Sequence, residues 1–371
     1  MKLNVLLVAL FFFNGCSSGH LNSNTIDLNR LIQNEINKKN IPALSYAIIK
    51  EDEIVASKSF GLSEYTNKMV SDENAIYLLA SISKTITAVA IMQIYEDKKI
   101  DLDADINNYL PFSLKNPYYP NIPITTRMLL THTSGLAWPT NSEDPNFSTP
   151  LEEIKITALT TWVENYLSPN GEIYKPSSWK KFPPGEHYQY SNIGGALLGL
   201  IVESVTGTDF NAYCKQYIFQ PLEMFNTGFR LKDVNLNHLV TPVHDGRIMS
   251  QYSVAHYPAS MLKSSIKELS NFLIAIINKG VFKNIRILNS NTVDDMLSIQ
   301  IRSEKQAYIW QKHSSSWVGH VGGYWGVSSS MDLNQSNKIG VIILTNVYGV
   351  DSVYPKGIIY KMIHKAAKKY F

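Results

Sequence analysis

Two cysteines in 371 residues, Cys16 and Cys214, leave little room for disulfide chemistry. No grouping of Cys and His has metal-ligand spacing, so no metal is expected. Charge of one sign is also scarce: 34 Lys and Arg against 31 Asp and Glu leave a net +3, with no basic stripe interleaved with aromatics. Nucleic acid is therefore not an expected partner. The N-terminal apolar run, Val5 to Phe13, is too short to span a bilayer. There is no Gly-x-Ser-x-Gly nucleophile elbow and no Gly-x-x-x-x-Gly-Lys loop, which sets aside the α/β-hydrolases and P-loop nucleotide enzymes. Internal repeats and low-complexity segments are absent.

At 44% hydrophobic and 18% charged residues, the chain holds enough apolar material for one large domain or two intimate ones. Lys2 followed by Val5 to Phe13 reads as a secretory signal. Gly15-Cys16-Ser17-Ser18 resembles a bacterial lipoprotein cleavage site, where the cysteine becomes the acylated first residue. Residues 1–16 are then signal, 17–25 a small polar tether and 26–371 the folded domain. The expectation is an exported protein anchored in a membrane through lipidated Cys16 and facing the periplasm. Ordinary cleavage to a soluble periplasmic or secreted protein is the alternative. Cys214 shares helical spacing with Phe210, Tyr213, Tyr217 and Ile218 and reads as core.

Leu28, Leu31, Ile32 and Ile36 predict a first helix that Pro42 ends, and Leu44 to Lys50 with Ile54 to Phe60 predict a hairpin. Strands return at Trp317 to Gly322, Val327 to Leu333 and Ile339 to Asn346. Asp351 to Tyr370 reads as a final helix, with Lys361, His364, Lys365, Lys368 and Lys369 on a face that suits an anionic membrane surface or, as the favoured reading, is simply solvated. Strands at both ends with helices between predict a sheet built from about 26–100 and 300–371 around a mostly helical insertion, about 101–299. There, Trp138 to Gly185 is irregular apart from a helix over Leu151 to Leu167. Its Trp138, Trp162, Tyr166, Tyr174 and Trp179 fit a cleft wall or ordinary core equally.

Ser81 and Lys84 stand three residues apart at the start of a strongly apolar helix, which points both side chains the same way. A serine hydroxyl needs a base to become a nucleophile, and a lysine amine in an apolar wall loses its proton readily enough to be one. Ser-x-x-Lys recurs at Ser177, Ser178, Ser260 and Ser264, but only Ser81 opens a helix whose Ile82, Ile86, Val89, Ile91, Met92 and Ile94 cover most of its circumference.

Tyr190-Ser191-Asn192 precedes the apolar helix Ile193 to Val205. A lysine ammonium nearby would favour the Tyr190 phenolate, making Tyr190 a proton relay, with Asn192 holding Lys84 or the substrate amide. The bland reading is a structural tyrosine beside an Asn helix cap. Tyr65 to Asn67 and Tyr119 to Asn121 repeat the spacing without opening a helix. His320-Val321-Gly322-Gly323 falls on a late strand. His320 is placed to donate a hydrogen bond to a substrate carboxylate or carbonyl, Gly322 lets substrate lie against the strand, and the N–H of Gly323 with that of Ser81 suits an oxyanion hole. His244-Asp245-Gly246 is a decoy in a loop.

In this order the three motifs resemble those of the serine β-lactamase and penicillin-binding protein superfamily, in its class C-like branch with esterase and peptidase relatives. Leu129 to Leu136, Phe182 to Gly185 and Pro221 to Met224 resemble further segments of that family, and the likeness runs from about Ile26 to the C-terminus. It implies an α/β (α+β) fold, an antiparallel sheet flanked by helices with a mostly helical subdomain, and two-step acyl transfer through Ser81, needing no cofactor, on a small ester or a peptide amide, including D-amino-acid peptides. The alternative is a non-hydrolytic sensor of cell-wall fragments. His132 belongs to a segment read as structural. Two departures stand out. His320 and Val321 replace the Lys-Thr of the family's usual third motif, so weak β-lactam turnover is expected. Tyr257 to Met261 replaces an Ala-Gly-Gly run, so a reshaped pocket is expected.

Overall fold

The computed structural model describes residues 23–61, 73–137 and 158–371. The signal segment, Cys16 and Trp138 lie outside these residues, as does the start of the helix expected from Leu151. That helix is described over Leu159–Leu167, and the first helix runs Ser23–Lys39, beginning inside the expected tether.

Among the described residues, six antiparallel strands form the main sheet, in the order Glu53–Gly61, Ala43–Lys50, Ile339–Thr345, Val327–Asn334, Val318–Tyr324, Gln311–Lys312. The two ends of the chain meet in its middle, where Leu44 faces Thr345 and Lys50 faces Ile339. Ile339–Thr345 is buried throughout. Its alternation sorts the strand's side chains onto two cores. Ile339, Val341 and Ile343 meet Leu28, Ile32 and Ile36 of the first helix with Ile359 and Ile363 of the last. Ile342 and Leu344 join the larger core on the other face.

That second face receives the helix Ile266–Ile277, which the sequence had grouped with the insertion. Its apolar stripe needs a sheet to cover it. The close approach requires Gly340, where a Cβ would stand 2.7 Å from Leu273 Cδ2. Among the described residues no single helix is long and apolar enough to cross a membrane.

The last helix is shorter than expected, Ile358–Ala367. Pro355 disfavours helical geometry at Tyr354, and Gly357 stands at the cap position. His364 is not on a solvated face: it is 6% exposed. Its ring stacks on Tyr360 with centroids 3.7 Å apart, and its Nε2 lies 3.6 Å from the fully buried carboxylate of Asp332. His313 Nδ1 holds the other carboxylate oxygen at 2.5 Å. Gly319 makes room, since a Cβ there would meet Asp332 Oδ1 at 2.3 Å.

Burial raises the pKa of Asp332, but the hydrogen bond from His313, with His364 beyond it, outweighs burial and holds the group at about 2. A carboxylate depressed on folding stabilises above its unfolded pKa, near 4, and loses that contribution as pH falls towards 2. Asp332→Asn is expected to lower unfolding free energy at neutral pH by about 2 kcal/mol. The gap between wild type and variant should then close between about pH 4 and pH 2. Urea denaturation followed by circular dichroism across that range measures both.

Candidate active site

The short strand Ile76–Leu78 pairs with Lys263–Ser265 and delivers the chain to a tight turn at Ala80–Ile82, from which the helix Ser83–Glu96 departs. Ala80 is left-handed at φ 48°, a conformation that costs a non-glycine residue about 1–3 kcal/mol. The surroundings enforce it. Ser83 Oγ donates to Ala80 O at 2.5 Å and accepts from the N–H of Leu262 at 2.9 Å, while Ser329 Oγ donates to Leu79 O at 3.0 Å. Ser81 is thereby lifted from the core and left partly exposed at the start of a helix that is buried almost all round.

Lys84 is fully buried, and its Nζ has three partners: Asn192 Oδ1 at 2.7 Å, the Ala259 carbonyl at 2.8 Å and Ser81 Oγ at 3.0 Å. Burial pushes its pKa well below the usual lysine value, so the amine is favoured over the ammonium. A neutral amine has two hydrogens. The two carbonyl-type oxygens, which only accept, take both. The lone pair is left facing the Ser81 hydroxyl.

Tyr190 also hydrogen-bonds Ser81, and Lys84 Nζ sits 4.9 Å from its ring centroid. Burial raises the pKa of Tyr190 above the ordinary range despite that bond. The expected phenolate is therefore corrected: burial disfavours the charged form, and Tyr190 is a phenol. The helix cap is Ser191, whose Oγ accepts from Gly194 N–H at 3.1 Å. Asn192 is the first helical residue, which frees its side chain to reach Lys84.

Three buried imidazoles surround the amine. His132 Nδ1 accepts from Ser191 N–H at 3.4 Å, and its ring lies 4.5 Å from that of Tyr190. Burial, the largest cause in each case, holds His132, His256 and His320 below the usual histidine range. All three are neutral. His320 Nδ1 lies 2.6 Å from the Val321 carbonyl, so Nδ1 carries the hydrogen. Its Nε2 is then a lone pair, buried and without a partner, so the expected donor to a carboxylate has no hydrogen to give there.

Gly322 is needed for packing. A Cβ there would stand 2.3 Å from Leu79 O, so the strand presses directly on the nucleophile turn. A Cβ on Gly323 would meet Tyr354 Oη at 2.8 Å, on the other side of the strand. Trp162, Tyr166 and Trp179 are core residues at 2–6% exposure.

The Tyr257 to Met261 segment is buried throughout. Pro258 and Ala259 push into the helix Asn192–Thr206, where Gly199 and Gly195 receive them: Cβ atoms there would meet Pro258 Cγ at 2.6 Å and Ala259 Cβ at 2.9 Å. The Ala259 carbonyl on Lys84 escaped sequence reasoning because a backbone oxygen has no residue signature. His256 escaped it as a lone histidine outside any motif.

Relatives carry the same architecture. A penicillin-binding protein homologue from Pyrococcus abyssi superposes with a TM-score of 0.70 at 24% identity, over 92% of this chain and 77% of that one. A class C beta-lactamase gives 0.71 at 18% identity, over 94% and 98%. Protein flp of Staphylococcus aureus is 22% identical over 337 residues, 88% of this chain. The match spans 64% of that relative's length. The Beta-lactamase family model matches residues 28–358. With the fold and this match together, the chain belongs to the beta-lactamase family, within the superfamily of serine hydrolases that includes the penicillin-binding proteins.

Proposed function

We propose that this protein is an exported serine hydrolase that forms an acyl-enzyme on Ser81 and acts on an ester or a peptide amide, including D-amino-acid peptides, with little or no β-lactamase activity. The observation that carries the reading is the hydrogen accounting at Lys84: two acceptors occupy both hydrogens of the neutral amine and turn its lone pair to Ser81 Oγ, 3.0 Å away. Lys84 takes the Ser81 proton as Oγ attacks the carbonyl. Tyr190 stays a phenol and passes a proton towards the leaving group by exchanging its own. The N–H groups of Ser81 and Gly323 receive the oxyanion, where one donor contributes about 2.7–4 kcal/mol. Water then releases the acyl group.

Substrate preference follows from His320. A lone pair where relatives of the usual motif place a lysine charge repels a carboxylate rather than gripping it. That disfavours penicillins and free C-terminal carboxylates and favours uncharged acyl donors. Lipidated Cys16 would hold the enzyme on a membrane facing the periplasm.

Ser81→Ala is expected to abolish hydrolysis of a short-chain p-nitrophenyl ester together with its pre-steady-state burst. Retained labelling would move the nucleophile elsewhere, and a stoichiometric adduct without turnover would favour a sensor of wall fragments. Lys84→Ala and Tyr190→Phe should each slow acylation by about a hundredfold or more.

The pH dependence has a definite sign. The base works deprotonated, so kcat/KM rises with pH through the Lys84 pKa, and that acid limb should fall well below the usual lysine value of 10.5. A limb near 10 would rule out a desolvated amine.

Penicillin hydrolysis should be slower than ester hydrolysis by about a hundredfold or more in kcat/KM, a difference of roughly 3 kcal/mol in transition-state stabilisation. His320→Lys should strengthen binding of carboxylate-bearing substrates; unchanged kinetics would leave His320 a packing residue.

A further inference from the structure

A cavity of about 990 Å³ opens at the far end of the Asn192–Thr206 helix. Glu203, on its wall, lies about 16 Å along the helix from Asn192 and the lysine it holds. Tyr109, Leu110, Leu159 and Tyr257 give the cavity an apolar side. Its charged groups are Glu203, Asp209, Arg230, Lys232 and Lys263.

The acids are already engaged. Glu203 Oε1 accepts from the N–H of Phe210 at 2.9 Å and from Tyr257 Oη at 3.1 Å. Asp209 accepts from the N–H of Ala212 at 3.0 Å and from Arg230 Nη2. Asp233, whose charge reaches Lys263, is held by Asn211 at 2.9 Å and Lys215 at 3.6 Å.

The bases keep hydrogens in hand. Arg230 engages Asp209 and Tyr257, yet its Nε is buried without an acceptor. Lys263, 1% exposed, donates to Met261 O at 3.0 Å and Phe229 O at 3.3 Å, so its ammonium form retains a third hydrogen. A buried donor without a partner destabilises the empty site, and an arriving acceptor relieves it. Arg230 Nε and the Lys263 ammonium lack an acceptor, which an anion supplies.

We propose that the cavity is a second binding site, separate from the Ser81 cleft, for a small monocarboxylate with an apolar body, its carboxylate taken by Arg230 and Lys263 and its body lying on Leu159 and Tyr257. Burial holds Lys263 at about 7 against the opposing charge of Asp233. The bound carboxylate raises that value, so binding above neutrality draws a proton from buffer onto the amine.

The test titrates 4-phenylbutyrate into the full-length Ser81→Ala protein by calorimetry at about pH 8, in two buffers of different ionisation enthalpy. Saturable binding at one site with net proton uptake is expected, about tenfold or more tighter than for 4-phenylbutyramide. Arg230→Gln and Lys263→Met should each weaken the acid by about tenfold or more, and Lys263→Met should remove the proton uptake. The comparison of acid with amide uses the unaltered cavity and stands even if a variant folds poorly. No saturation at millimolar acid, equal affinity for acid and amide, or binding indifferent to Arg230→Gln in a folded protein would each overturn the proposal.

Discussion

The desolvation of Lys84 governs the site. An ammonium in this enclosure would keep a third hydrogen pointing at Ser81 Oγ and would pay for the loss of water besides, whereas the neutral amine is satisfied by Asn192 and Ala259 and presents a lone pair. The protonation state thus follows from where the helix Ser83–Glu96 is buried. The neutral histidines around it and the phenol of Tyr190 follow in turn, because the same low-polarity enclosure disfavours every charged form.

Such an enclosure needs a rigid frame. The frame comes from the sheet, whose middle is formed by pairing of the first and last strands of the chain, and from the strand Val318–Tyr324, whose Gly322 lets it bear directly on Leu79. Ala80 is held left-handed between these parts. Strain at that residue is offset by hydrogen bonds from Ser83 to the Ala80 carbonyl and from Ser329 to the Leu79 carbonyl, on either side of the Ala80 Cα, and its result is a serine partly exposed at the end of a buried helix. Far below, on the sheet's other face, Asp332 and its two histidines tie the last helix to the same strands.

Much of this was legible in the sequence because it depends on side chains in periodic positions. The five long strands and the buried nucleophile helix announce themselves by apolar pattern, and the three motifs by residue type and order. What escaped depends on atoms without a sequence mark: the Ala259 carbonyl, the tautomer of His320 set by the Val321 carbonyl, and the inward turn of His364 from a helix face that reads as basic. The membership of the helix Ile266–Ile277 in the sheet layer escaped for a related reason, since an apolar stripe declares that it is covered but not by what.

The contact between Gly195 and Ala259 carries a consequence for how such a site diversifies. The backbone that supplies one of the lysine's acceptors is wedged against a helix position where even a methyl group does not fit. A bulkier residue at 259 and a bulkier residue at 195 are mutually exclusive, so drift at either position is contingent on what the other already holds. Ala259→Gly is sterically permitted yet loosens the backbone that aims the carbonyl. The departure at Tyr257 to Met261 and the glycines of the facing helix therefore form one inherited unit, and a chimera that takes either half alone inherits a displaced lysine.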